Sequence, residues 1–436
     1  MMNNQNSQLS IDGFHPDNLF HPDNLCQYDM CLNPDNLHPD MAKKIIKDFK
    51  LPFNYVNPIQ FAVMVKNMLE VAPEFTDAVD MMMDICCCLG IDKDDQPQFC
   101  GYIREITDAM VEHILHNTMV DHILHNTGYQ AFNQKDINAF FPVEQQNIPT
   151  GDNYNYENAG KRFISIDLKN AAFQAMKTWD RIYGKQHGYL IGSLIDDYKT
   201  FVAYVVNNCG FAYNHSKSVN KLVIDYISTC KSLRQVIFGK TNPKRIMHIE
   251  KFIMQSVVKI INDTFNIIPV RFNNDEVVYE YNESLERALY ADYMLSTLDL
   301  TITNQVSNQT STFTVPMEFH KNLYTLEEYS LIQHDDLVPI EHKRPIKFYV
   351  KNNVSMLTHA KLAPDFKGLP SQVYLTARAL FEGKMKLAHF FETQPILMDG
   401  TFHWLAIPTC PCHPEGDDVD INTWELRCNP HNPSNE

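Results

Sequence analysis

The stretch from Phe163 to Asp180 constrains the fold more than any other. Phe163-Ile164-Ser165-Ile166 is a short β-branched run that stops on an acid, Asp167, and Lys169 to Asp180 then follows with helical spacing. A strand that delivers an Asp at its end, next to a helix start, holds a carboxylate rigidly at a sheet edge where a metal ion can reach it. The same Asp also has the chemistry of a cap for the helix that follows.

Downstream, further apolar segments run through Tyr189 to Val206, and Lys231 to Phe265 reads as a basic region followed by a long helix. Ile267 to Arg271, a turn at Asn273-Asn274 and Val277 to Tyr281 read as a β-hairpin. Charge follows this part of the chain. Residues 161–260 hold sixteen Lys and Arg against six Asp and Glu, a local net of +10, inside a chain of 436 residues whose total is −16. The remainder therefore carries −26. A sign change this large points to an anionic partner for the basic part, or to cations spread over solvated helices.

The rest of the chain frames that unit. Residues 1–40 repeat a short motif: His15-Pro16-Asp17-Asn18-Leu19 recurs at His21 to Leu25 and, in part, at Asn33 to Leu37. Pro-Asp-Asn is turn chemistry, so this is expected to be a flexible arm. Residues 41–130 read as a helical domain. In it Glu112-His113-Ile114-Leu115-His116 is duplicated as Asp121-His122-Ile123-Leu124-His125. Histidines at i, i+3 share a helix face, but with no Cys or acid partner nearby the duplication reads first as a surface helix. The run Cys86-Cys87-Cys88 reads as core packing. Residues 131–160, rich in Asn, Gln, Pro and Gly, read as a linker, 161–300 as the core unit, and 301–436 as a C-terminal mixed α/β domain. Its tail carries Cys410, Cys412, Cys428 and His431, a candidate Zn²⁺ set, although Cys-x-Cys is tighter than the usual knuckle. Eleven cysteines, an odd number in a long chain, do not form a secreted disulfide framework. With no leader pattern and no apolar run near bilayer length, the expectation is an intracellular protein, cytoplasmic or nuclear, that is not secreted and has no membrane partner.

Three segments carry the chemistry. Asp167 ends its strand. Lys231-Ser-Leu-Arg234-Gln-Val-Ile-Phe238-Gly239-Lys240-Thr-Asn-Pro-Lys244-Arg245 packs five cations into fifteen residues, and Arg forks with Lys point charges suit a triphosphate or a nucleic-acid backbone. Asp275 and Glu276 sit at the hairpin turn, which also reads as an ordinary turn. A strand-end Asp, a basic helix and a hairpin-tip Asp, in that order, meet the needs of two-metal phosphoryl transfer, with two carboxylates on neighbouring strands holding two Mg²⁺ ions.

In this order the segments resemble motifs A, B and C of the family A DNA polymerases. Asn274-Asp275-Glu276-Val277-Val278-Tyr279-Glu280 is similar to that family's His-Asp-Glu-x-x-Phe-Glu hairpin. Arg234, Phe238 and Gly239 follow its Lys-x-x-x-Phe-Gly helix, and Asp167 stands where its first strand carries a metal-binding Asp. The chain departs at Asn274, which replaces the His, at Ala172, which replaces a Glu, and at Asn242, which replaces a Tyr. The first segment is also similar to the reverse-transcriptase pattern Asp-Leu-Lys, so sugar preference does not carry over. The resemblance implies an α+β chain with a palm-like antiparallel sheet, preceded by a helical domain and followed by the mixed C-terminal region. It implies a template-directed nucleotidyltransferase using Mg²⁺, nucleoside triphosphate and nucleic acid. Asp167, Asp275 and Glu276 would be catalytic, and Arg234, Phe238, Lys240, Lys244 and Arg245 would bind nucleotide. Two other readings stand beside it: a non-catalytic nucleic-acid-binding protein built on the same basic face, and an interaction or structural protein using the repeats and acidic outer regions.

Overall fold

The protein is described by a computed structural model that covers residues 37–49, 73–116, 127–144, 149–208, 217–291, 294–303, 310–331, 346–369 and 374–383, with short strand segments between 391 and 407. In chain order its helices begin with α1 (Pro39–Asp48), α2 (Pro73–Leu89), α3 (Gln96–His116), α4 (Thr127–Gln134) and α5 (Ile137–Phe140). The sheet region follows with β1 (Arg162–Leu168), α6 (Ala171–His187), α7 (Tyr198–Asn208), α8 (Lys217–Thr229), α9 (Lys231–Gly239), α10 (Pro243–Phe265), β2 (Arg271–Phe272), β3 (Glu276–Glu280) and α11 (Glu283–Tyr290). Then come β4 (Thr297–Thr303), β5 (Thr310–Pro316), β6 (Phe319–Leu331), β7 (Ile346–Ser355), β8 (Asp365–Lys367) and α12 (Tyr374–Phe381). The fold is thus mixed α+β. None of the described helices is long and apolar enough to cross a membrane.

Among the described residues six strands form one sheet in the order β2-β3-β1-β6-β7-β8, antiparallel at every step. β1 is its centre, pairing with β3 on one side and β6 on the other. Strand alternation divides its residues between two faces. Ile164, Ile166 and Leu168 are buried in the main core with the helices. Phe163 points the other way, into a small cluster with Val278, Tyr324 and Leu326. The main core runs without a break from Leu37 to Ala377, across the helical region and the sheet.

α10 shows how sequence sets this packing. Ile246, Ile249, Ile253, Val257 and Ile261 recur at three- and four-residue spacing and are buried against α6 and the sheet. Within Lys231–Phe265, the basic region forms a helix of its own, α9, and residues 240–242 separate it from the long helix α10. Asn242 is left-handed with φ 62°, and Pro243 occupies the first turn of α10, where its missing N–H costs nothing. The hairpin also begins later than expected, with Ile268 73% exposed and the strand starting at Arg271.

Described residues of the 131–160 segment pack onto the core. Phe132 and Phe141 are fully buried against Trp179, and Gln255 exchanges hydrogen bonds with the Glu144 backbone. Polar composition masked two aromatic anchors that α6 and α10 cover. His113, read as part of a surface helix, is 1% exposed, and its Nε2 bonds the Ile191 carbonyl. His122 and His125 lie outside the described residues. Of the three consecutive cysteines only Cys86 is buried; Cys87 and Cys88 are exposed, because a helix cannot turn three successive residues inward.

Candidate active site

β1 carries Asp167 to its C-terminal end, but α6 starts only at Ala171, with Asn170 as N-cap. Asp167 is therefore not a helix cap. On the neighbouring strand, the Leu168 N–H donates to the Asp275 carbonyl at 2.8 Å, so the hairpin tip lies against the end of β1. The Asn273 N–H donates to the Glu276 carbonyl at 2.7 Å and closes the tight turn that presents Asp275.

Between the end of β1, α9 and the start of α10 lies a cavity of about 560 Å³, within the range of small-molecule sites. Its lining includes the carboxylates Asp167, Asp275 and Glu250 and, with them, Lys231, Arg234 and His320. None of the three carboxylates makes a side-chain hydrogen bond or ion pair among the described residues. Burial, then the charges of Asp275 and Glu276, push the Asp167 carboxyl up to about 7. Burial, then Asp275 and Asp167, push Glu250 up to about 7 as well. Lys231 and Lys351 relieve Asp167 only in part, so the acids are crowded together with too little positive charge beside them.

The basic lining residues are likewise without ion-pair partners among the described residues. Lys231 has no ion pair among the described residues. Arg234 lies 5.4 Å above the Tyr198 ring and donates to the Ser228 carbonyl at 3.3 Å, which fixes its fork but leaves its charge unneutralised. His320 stands directly across from Asp167 on β6. Burial and the nearby cations Lys169 and Arg234 lower its pKa, so the imidazole stays neutral near pH 7.

Not every expected residue reaches the cavity. Phe238 lines it but is 2% exposed and packs against Tyr198, so it builds the wall rather than offering a face to a ligand. Glu276 faces the same side of the sheet as Asp167, its register partner, yet does not line the cavity. The Ser165 hydroxyl donates to it at 2.7 Å, and Arg271 and Lys351 approach at 3.3 and 3.7 Å. Burial would raise its pKa, but Lys351, Ser165 and Arg271 outweigh that and hold it below the usual value. Lys240 pairs with Asp108 at 2.8 Å, Arg245 donates to the Lys135 carbonyl and covers Phe132, and Lys244 is exposed away from the cavity. Lys240 ends α9 and Lys244 and Arg245 open α10, and none of the three lines the cavity. The Cys410, Cys412, Cys428 and His431 set lies outside the described residues.

Glu250 and His320 were not singled out from sequence. Glu250 had a signal: an acid inside the apolar stripe of α10, between Ile249 and Ile253. His320 had none, since a His at the start of a strand is unremarkable.

Among the described residues no three His, Cys, Asp and Glu side chains are placed to hold a metal ion by themselves. That suits Mg²⁺, which takes one or two carboxylates and completes its shell with water and substrate phosphates. Neither a protein-family model, nor a curated protein, nor a solved structure matches this chain, so its chemistry is read from these residues alone.

Proposed function

We propose that this chain is a divergent template-directed nucleotidyltransferase with a palm-like core, acting on a primer strand by two-metal phosphoryl transfer. One observation carries the reading: a single cavity lined both by carboxylates and by cations that form no ion pair with one another. A nucleoside triphosphate with divalent cations has the complementary pattern, negative phosphates bridged by positive ions.

Asp167 and Asp275 would hold the cations, on adjacent antiparallel strands whose backbone fixes their separation. Bound Mg²⁺ would supply Lewis-acid activation of the attacking hydroxyl and neutralise charge on the leaving pyrophosphate. Lys231 and Arg234 bind the phosphates, Arg234 with its fork oriented by Tyr198. His320, neutral near pH 7, can donate or accept a single hydrogen bond at the cavity edge. Catalysis in such a site is positioning and charge stabilisation.

A nucleic-acid-binding protein without catalysis would use Lys231 and Arg234 equally well. The carboxylates favour the enzyme, because three unpaired acids repel a polyanion unless cations intervene. The test is Mg²⁺-dependent incorporation of labelled nucleotide into a primer–template. Asp167→Ala and Asp275→Ala are each expected to lower it at least about 100-fold while the protein stays folded, since several kcal/mol of charge stabilisation are lost. Full activity in both variants would eliminate this site.

A further inference from the structure

Glu250 differs from the other buried acids of the molecule. Asp180 accepts hydrogen bonds from the backbone N–H groups of Leu190, Ile191 and Gly192. Asp48 pairs with Lys44 and accepts from the Tyr226 hydroxyl. Glu250 is 7% exposed, lines the cavity, and has neither a hydrogen bond nor an ion pair among the described residues. A buried carboxylate without a partner is costly, and two further acids beside it raise that cost. Nor can it swing away freely: its neighbours Ile249 and Ile253 are fully buried on a helix packed against α6 and β3.

We propose that Glu250 is the third carboxylate of a divalent-cation site, accepting hydrogen bonds from the water shell of a cation held by Asp167 and Asp275, and that this cation binds before any nucleotide. The proposal rests on the nucleotidyltransferase reading and adds to it a residue from outside the three segments that suggested it. Contact through water agrees with the lack of a ready three-ligand cage among the described residues. A hard cation keeps several waters, and each needs an acceptor. Partners of this outer kind change metal affinity by about 10–100-fold.

The test is titration of the full chain with Mn²⁺ alone, with no nucleotide or nucleic acid present, following the free ion by electron paramagnetic resonance at neutral pH. The wild-type chain is expected to bind saturably, Asp275→Asn to lose binding, and Glu250→Gln to bind about 10–100-fold more weakly. Circular dichroism checks folding. If Glu250→Gln does not fold, Glu250→Asp keeps the charge but withdraws it by one methylene, and weakened affinity is again the expected result. Wild-type affinity in the folded Glu250 variant, beside a defective Asp275→Asn, overturns the role of Glu250 and leaves the nucleotidyltransferase reading intact. A wild-type chain that binds no Mn²⁺ overturns the nucleotide-independent site, while the nucleotidyltransferase reading stands or falls on the incorporation assay, in which triphosphate can complete the metal shell.

Discussion

Two acidic clusters sit within one strand of each other, and they have opposite characters. Around Glu276, every charge has an answer inside the protein. Ser165, Arg271 and Lys351 meet the carboxylate, while Arg271 and Lys351 also cover Tyr154 and Tyr324. Asp167, Asp275 and Glu250 have no side-chain hydrogen bond or ion pair among the described residues, and Lys231 and Lys351 reach Asp167 only through space. The first arrangement is complete without a ligand and stabilises the sheet. The second is incomplete and gains most from something that arrives. Pairing within the protein, not the presence of acids, is what separates architecture from a site.

Substitutions should split the clusters cleanly. The largest effect is expected from Asp275→Ala, with nucleotide incorporation down at least about 100-fold and the thermal midpoint unchanged or raised, because a repelled charge is gone. Glu276→Gln should do the reverse. It strands Arg271 and Lys351 beside Ser165 and should destabilise the fold by about 1–3 kcal/mol in denaturant titration, while the Mg²⁺ concentration needed for half-maximal activity stays put. A Glu276 variant of unchanged stability would show that its network is not structural, and would break the contrast.

The sequence disclosed the two sheet acids and the first half of the basic segment because each signal was local. A β-branched run ending in Asp must present that Asp at a strand end, and Asn-Asn-Asp-Glu between apolar strands must turn. It did not disclose which of Asp275 and Glu276 would enter the cavity. Glu276 shares a sheet face with Asp167, and it is Ser165, Arg271 and Lys351 that hold it off the cavity, while Asp275 reaches the cavity from the turn before β3. Lys240, Lys244 and Arg245 looked equivalent to Lys231 and Arg234 along the chain. Lys240 is taken up by Asp108 at the end of α9, and Lys244 and Arg245 follow the left-handed Asn242, which redirects the backbone. Glu250 comes from a helix whose sequence reads as core, and only packing shows that one residue of its buried face meets the cavity rather than another helix.

The clusters should also respond oppositely to pH. Asp167 and Glu250 have folded pKa values raised to about 7, above their unfolded values near 4. The folded state therefore holds protons that the unfolded state has lost, and stability falls as pH rises from about 4 to 7. The slope is about 1.4 kcal/mol per pH unit for one such proton. Glu276 is lowered, so its contribution is present above the unfolded value and lost as pH falls through its folded one. Thermal melts between pH 4 and 7.5 without divalent ions should show the cavity slope, and Glu250→Gln should flatten it. A melt profile that is flat in the wild-type chain over this window would mean that the cavity acids are not forced together as the geometry indicates.

The smallest effect is expected on the cationic lining. Lys231 and Arg234 are both unneutralised, but Arg234 is held by Tyr198 and Ser228 whereas Lys231 is a point charge on a flexible stem. If both meet phosphate, Lys231→Ala should weaken primer–template or triphosphate binding uniformly across sequences. It should also lower the slope of log affinity against log salt by about 1, the signature of one released counterion. Lys240→Ala, whose charge is committed to Asp108, should leave that slope unchanged. Equal slopes in the two variants would mean that the sixteen basic residues of the central region act as a diffuse field rather than through the cavity wall. The contrast between paired and unpaired charge would then hold for the acids but not for the bases.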